Sequence, residues 1–308
     1  MEQNSTSTTI MATVYMLSIG SIGIIANLIS MAIIVRNSGL HNTFGFVCFS
    51  HLVANVGILI CFCTWPVVMI LSQDNDVAHS SVGKVFGQFT IIFWYSCMFA
   101  HIGISLNRYI SIVYPVKAMK LFTTYNTRYA IIVFWLTAFL ITIPYFWNET
   151  CYMAFNAHTF QWTYAATTCG QALSHFDFGA GVVLYSSAFL IDLMTLCSLR
   201  TVNSTMGTQT AAQAAKRRHN EVRLFTQAFT QCCIFCICLF SFHIFTLISD
   251  NLWWQFAMVT MVWIGAHSLD GLIVVAFHYR SLFHQKLRTL STTVTVTGKI
   301  SQHHSSRC

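Results

Sequence analysis

The chain has 308 residues, 55% of them apolar and only 8% charged, with a formal net charge of +7. That balance is the composition of a polytopic membrane protein and leaves no stretch for a second, water-soluble domain. The positive excess flanks membrane-length apolar segments, where anionic lipid accounts for it, so lipid is an expected partner and nucleic acid is not.

A bilayer core takes ~20 mostly apolar helical residues. In chain order the sequence offers spans at 10–35, 46–71, 85–113, 129–147, 178–199, 222–249 and 252–277. The predicted fold class is all-α, a polytopic seven-transmembrane helix bundle. Residues 1–9 precede it, 10–277 form the membrane domain and 291–308 are a tail. Between them, 278–290 sets Tyr279, Leu282, Phe283, Leu287 and Leu290 at helical spacing beside Arg280, Lys286 and Arg288, as an amphipathic membrane-surface helix would. The start, MEQNSTSTTI, is acidic and polar rather than basic, so the first span is expected to act as its own insertion signal. Of the 16 Lys and Arg residues, all but Lys84 fall in alternate connections and the tail. The positive-inside rule makes those segments cytoplasmic and puts the N-terminus outside. Two glycosylation sequons, at Asn4 and Asn148, then lie on the outer face; a third, at Asn203, lies inside and should be silent.

The third span ends in Asn107-Arg108-Tyr109, with Pro115 seven residues after the Arg. This resembles the acid-Arg-Tyr signature of rhodopsin-like G-protein-coupled receptors. Gly23 and Asn27 in the first span resemble the family's GxxxN pattern, and Asn55 stands where its second helix usually carries Asp. Trp135 and Pro144 mark the fourth span, a basic run from Lys216 to Arg223 opens the sixth, and Asp270 begins the segment that matches the seventh-helix motif. Within the superfamily the chain resembles the serpentine receptor class X (Srx) group of nematode chemoreceptors. That resemblance rests on Asn107 to Ile112, on Trp65-Pro66, on Cys151 and Cys169, and on His267-Ser268-Leu269-Asp270. It implies a receptor, not an enzyme, that needs no cofactor, binds a small extracellular molecule and activates a heterotrimeric G protein. Its expected address is the plasma membrane, and sensory cilia if it is chemosensory. A ligand-gated channel subunit and a transporter are the alternatives. No internal repeat supports a transporter, and no Lys in 252–277 could carry retinal.

The chain also departs from that pattern. Asn107 replaces the acid, the sixth and seventh spans lack Pro, and Val274 replaces the motif's tyrosine. Gly83 stands where many of these receptors have the third-helix cysteine that tethers the outer loop. Of the 12 cysteines, only Cys151 and Cys169 fall in an outward, oxidising loop, and they are expected to pair. The run Cys232-Cys233-Ile234-Phe235-Cys236-Ile237-Cys238 is not expected to bind metal, because thiols along one helix do not converge; no metal is expected elsewhere.

Charge inside a bilayer is costly, so ionisable residues there are functional candidates. Asp270 is expected to join Asn27 and Asn55 in an intramembrane polar cluster, with charge and amide exchanged relative to the family. Asp192, near the inner end of the fifth span, is expected to reach interfacial water. Thr90, Trp94, Phe242 and His243 are the candidate ligand pocket. Thr90 occupies the place of the amine-binding Asp, which argues against biogenic amines. Glu221, the one acid in the cytoplasmic connections, is the expected resting partner of Arg108.

Overall fold

The computed structural model describes residues 6–72, 77, 80–147, 149–205 and 211–277. Seven long helices follow one another: α1 Thr6–Arg36, α2 Thr43–Ser72, α3 Ser81–Val113, α4 Thr124–Ile141, α5 Thr168–Thr205, α6 Ala211–His243 and α7 Leu252–Phe277. All but α4 are long and apolar enough to cross a membrane. At 18 residues, α4 reaches ~27 Å, just under the ~30 Å of hydrocarbon. A helical turn at Pro144–Trp147 prolongs it after a break at Thr142 and Ile143, where the residue before a proline is pushed out of the helical region. The expected amphipathic helix at 278–290 and the sequons at Asn4 and Asn148 lie outside the described residues.

Side-chain caps fix several helix starts. Ser80 caps α3, Thr123 caps α4 through the Asn126 amide at 3.2 Å, and Asn251 caps α7 by accepting from the amides of Trp253 and Trp254. Each cap satisfies donors that the first helical turn leaves without partners. Pro115 ends α3 and opens a short helix, Pro115–Leu121, because it tolerates only the first helical turn.

The bundle reverses the partition of a water-soluble protein. Ile10, Val14, Ile25, Val68, Val183 and Ile237 face outward, while Asn27, His51, Asn55, His101, Asp192, His267 and Asp270 are buried. Exposed apolar faces are the correct exterior in lipid, and the interior polar groups must then be satisfied by one another.

The connection between α4 and α5 is a β-hairpin, expected from sequence only as a disulfide-closed loop. Strand β1 Met153–Asn156 pairs antiparallel with β2 Gln161–Tyr164, and Cys151 and Cys169 are disulfide-bonded across its base. Its tip dips into the bundle, leaving Met153, Phe155, Phe160 and Trp162 almost wholly buried. Asn156 turns the chain by accepting from the amides of His158 and Thr159. Phe160 follows at φ 56°, in the left-handed region that costs a side chain roughly 1–2 kcal/mol. Burial of its ring and a 2.6 Å hydrogen bond from Thr260 to its carbonyl offset that cost.

Thr260 lies in a π-helical turn of α7, Ala257–Met261. Such a turn displaces carbonyls from the regular ladder; here Met261 O accepts from the Tyr15 hydroxyl of α1 at 3.1 Å. The seventh span therefore departs from regular α-helix without a proline.

Candidate functional site

Three regions along the bundle axis carry the polar chemistry. At the hairpin end a cavity of about 320 Å³ lies between β2, α5, α6 and α7, lined among others by Trp162, Tyr164, Gln171, Ser174, Phe242 and Gln255. Of the four pocket residues expected from sequence, Phe242 lines it, packed edge-on against Trp263 and Tyr164. Thr90 spends its hydroxyl on Phe86 O one turn back, at 2.9 Å. Trp94 sits beneath, against Trp263, Phe235 and Tyr185. His243 pairs instead with Asp177, Nε2 to Oδ2 at 3.2 Å.

Asp177 stands one residue before the fifth span expected from the sequence, 178–199. It belongs to α5, which begins ten residues earlier than the apolar run suggested, and its side chain is buried. A buried carboxylate is thus supplied from α5, so Thr90 alone no longer argues against cationic ligands. Burial and the nearby Asp177 charge hold the Tyr164 hydroxyl well above the usual phenol range, so it stays neutral.

The absence of a third-helix cysteine at Gly83 is met by other anchors. Met153 O packs against Gly87, where a side chain would collide with it. Lys84, the one basic residue on the hairpin end of the charge pattern, sits 4.3 Å over the Tyr152 ring.

In the middle of the bundle, Asn27, Asn55 and Asp270 meet, from α1, α2 and α7. Asn55 Nδ2 donates to Asp270 Oδ2 and to Asn27 Oδ1, and Asn27 Nδ2 donates to Gly23 O and His267 O. The two glycines of the motifs permit this approach: a side chain at Gly271 would strike Asn27, and one at Gly23 would strike Ser268. His267 extends the network. The indole of Trp263 can only donate, so His267 Nε2 accepts at 3.0 Å; the ring proton is therefore on Nδ1 and goes to Asn55 Oδ1 at 2.7 Å. His51 of α2 and His101 of α3 add two imidazoles to this level of the bundle. The structure brings both against Asp270, with His51 Nε2 3.0 Å from its Oδ2.

At the opposite end, Asn107 and Arg108 line a cavity of about 500 Å³ with Phe44, Ser111 and Pro115. Arg108 is buried with its guanidinium 4.8 Å over the Phe44 ring, and Tyr109 packs edge-on to Tyr114. The helix carrying Glu221 is described, but its side chain lies outside the described residues, so the expected pair with Arg108 is not seen. Asp192 corrects a second expectation. It is 1% exposed rather than at the interface, because α5 turns that face into the bundle, and the Arg108 charge and the Ser105 hydroxyl are among its electrostatic neighbours. Helical spacing from Phe189 and Ala188 could have flagged it.

A family model described as "Serpentine type 7TM GPCR chemoreceptor Srx" matches residues 17–278. The chain belongs to the Srx family. Serpentine receptor class X 45 of Caenorhabditis elegans is 23% identical over 289 residues, covering 87% of this chain and 79% of the relative. A Gq-coupled rhodopsin of Mizuhopecten yessoensis is 26% identical over 187 residues, 56% of this chain and 35% of that protein. The crystal structure of squid rhodopsin superposes with a TM-score of 0.77 at 15% identity, covering 95% of this chain and 89% of that one. This Srx chain is accordingly an integral membrane protein with the rhodopsin fold, in a family of G-protein-coupled chemoreceptors.

Proposed function

We propose that the chain is a chemosensory receptor that takes a small molecule beneath the hairpin and activates a heterotrimeric G protein at the Arg108 end. The observation that carries this reading is the buried Arg108 of Asn107-Arg108-Tyr109 beside an open cavity, within a chain that the Srx family model matches over most of its length. The hairpin end faces the exterior of the plasma membrane, with the N-terminus outside, and Asn4 and Asn148 carry glycans. Glycosidase should shift the mobility of the chain expressed in eukaryotic cells, less so in Asn148→Gln; a glycan at Asn203 would invert the topology.

The ligand enters the aromatic cavity at Phe242 and Tyr164, with Trp94 as its floor, Thr90 beside it and the His243–Asp177 pair as its polar contact. Asn107 offers Arg108 no neighbouring charge, so in the resting state the guanidinium is held by Glu221 from α6 and by Asp192 from α5. Ligand binding favours a conformation in which α6 moves off and Arg108 meets the G protein. The test is a G-protein dissociation assay against a chemical library, with Phe242→Ala and Arg108→Ala alongside. An active compound should lose potency in the first variant and efficacy in the second. Current carried by the chain in cells without functional G proteins would overturn the reading in favour of a channel.

A further inference from the structure

The centre of the bundle holds a set of donors that the signalling reading does not use. His51 of α2, His101 of α3 and Asp270 of α7 present two imidazole nitrogens and a carboxylate oxygen, all within 4.8 Å of one another and all three residues buried. The His51 and His101 rings stand 4.5 Å apart, edge to face. These groups satisfy one another only in part. His51 Nε2 forms an ion pair with Asp270 Oδ2 at 3.0 Å, while Asp270 Oδ1, His51 Nδ1 and His101 Nε2 have no hydrogen-bond partner among the described residues. Three residues whose ligand atoms meet at one buried point, with polar atoms still unpartnered, call for a specific occupant.

We propose that His51, His101 and Asp270 form a transition-metal site of the Zn²⁺ class, joining α2, α3 and α7. Imidazole and carboxylate are ligands that zinc takes readily, and three protein ligands with an open fourth position are a common zinc arrangement. Alkali and alkaline-earth ions call for a shell of oxygens, which two imidazoles do not supply. Asn55 Nδ2 fixes the carboxylate on Oδ2 and leaves Oδ1 for the ion, the outer-shell support that metal carboxylates require. The Cys97 thiol, beside His51, donates to Asn55 Oδ1 at 3.3 Å and is not one of the three ligands. A bound ion would tie three helices at one level and favour whichever arrangement of the bundle brings the ligands together. Sequence reasoning expected no metal; these three residues lie on separate helices and show no ligand spacing in the sequence.

The full chain, purified in detergent, is dialysed to equilibrium with Zn²⁺, with Na⁺ and Mg²⁺ as comparators. Other thiols and imidazoles also bind zinc, so the comparison is among variants. His101→Leu and Asp270→Asn should each lose one tightly held equivalent or weaken it by about 100-fold or more, since outer-shell changes alone cost 10–100-fold. Cys232→Ser/Cys236→Ser should retain it. Undiminished zinc in His101→Leu would overturn the site. Should the variants fail to fold, Co²⁺ bound to the wild type decides: a visible spectrum of nitrogen and oxygen ligation supports the site. A spectrum dominated by thiolate charge transfer, or no bound metal at all, overturns it.

Discussion

The two ends of the bundle are closed by different physics. At the hairpin end Phe155, Phe160 and Trp162 fill the space between the helices, and Thr260 donates to Phe160 O. At the Arg108 end a buried cation lies on Phe44, with a second buried charge, Asp192, close by, next to a larger cavity. Apolar packing in a dense core resists displacement, whereas the attraction between buried charges is largely offset by their lost hydration, so the pair adds little net stability. Under the proposed function the first end stays shut and the second opens, with the Asn55 network set between them.

That contrast can be broken by substitution. The largest effect is expected from Trp162→Ala, which empties the plug and should destabilise the purified chain by about 3–5 kcal/mol, read as a fall in melting temperature in detergent; an unchanged melting temperature would mean the hairpin is an ornament. Breaking the disulfide by Cys151→Ser should cost about 3 kcal/mol on the chain-entropy model, since it closes a loop of 18 residues. Unreduced peptide mapping should find Cys151 joined to Cys169, and surface expression should fall in the variant. At the opposite end, Glu221→Gln and Asp192→Asn should each loosen the hold on the buried Arg108. Basal G-protein activation should therefore rise several-fold at matched surface expression, with folding intact. If neither variant changes it, the Arg108 end is not restrained by charge. The smallest effect belongs to Lys84→Ala, which removes the contact over Tyr152 and should cost about 0.5–1 kcal/mol, seen as faster proteolysis of the hairpin rather than loss of the fold.

Apolar length and the placement of Arg and Lys residues made the spans legible in the sequence, because a bilayer imposes a minimum helix length and a charge bias on any chain that crosses it. The Asn27, Asn55 and Asp270 grouping was legible for a related reason: polar side chains in hydrocarbon must find one another. The pairing of Cys151 with Cys169 followed from compartment. What the sequence could not give was depth and rotation. The start of α5 at Thr168, which buries Asp177 against His243, depends on the hairpin covering polar residues that look like loop. The inward turn of Asp192 depends on how α5 packs against α3, and the π turn of α7 on a hydrogen bond to a hairpin 100 residues away. The meeting of His51 and His101 at Asp270 joins three helices whose separation in sequence carries no information about their rotation in the bundle. Composition and charge fixed which segments cross and which residues had to be hidden from lipid. Side-chain packing alone decided which of those hidden residues face one another, since a helix rotates freely about its own axis until its neighbours are in place.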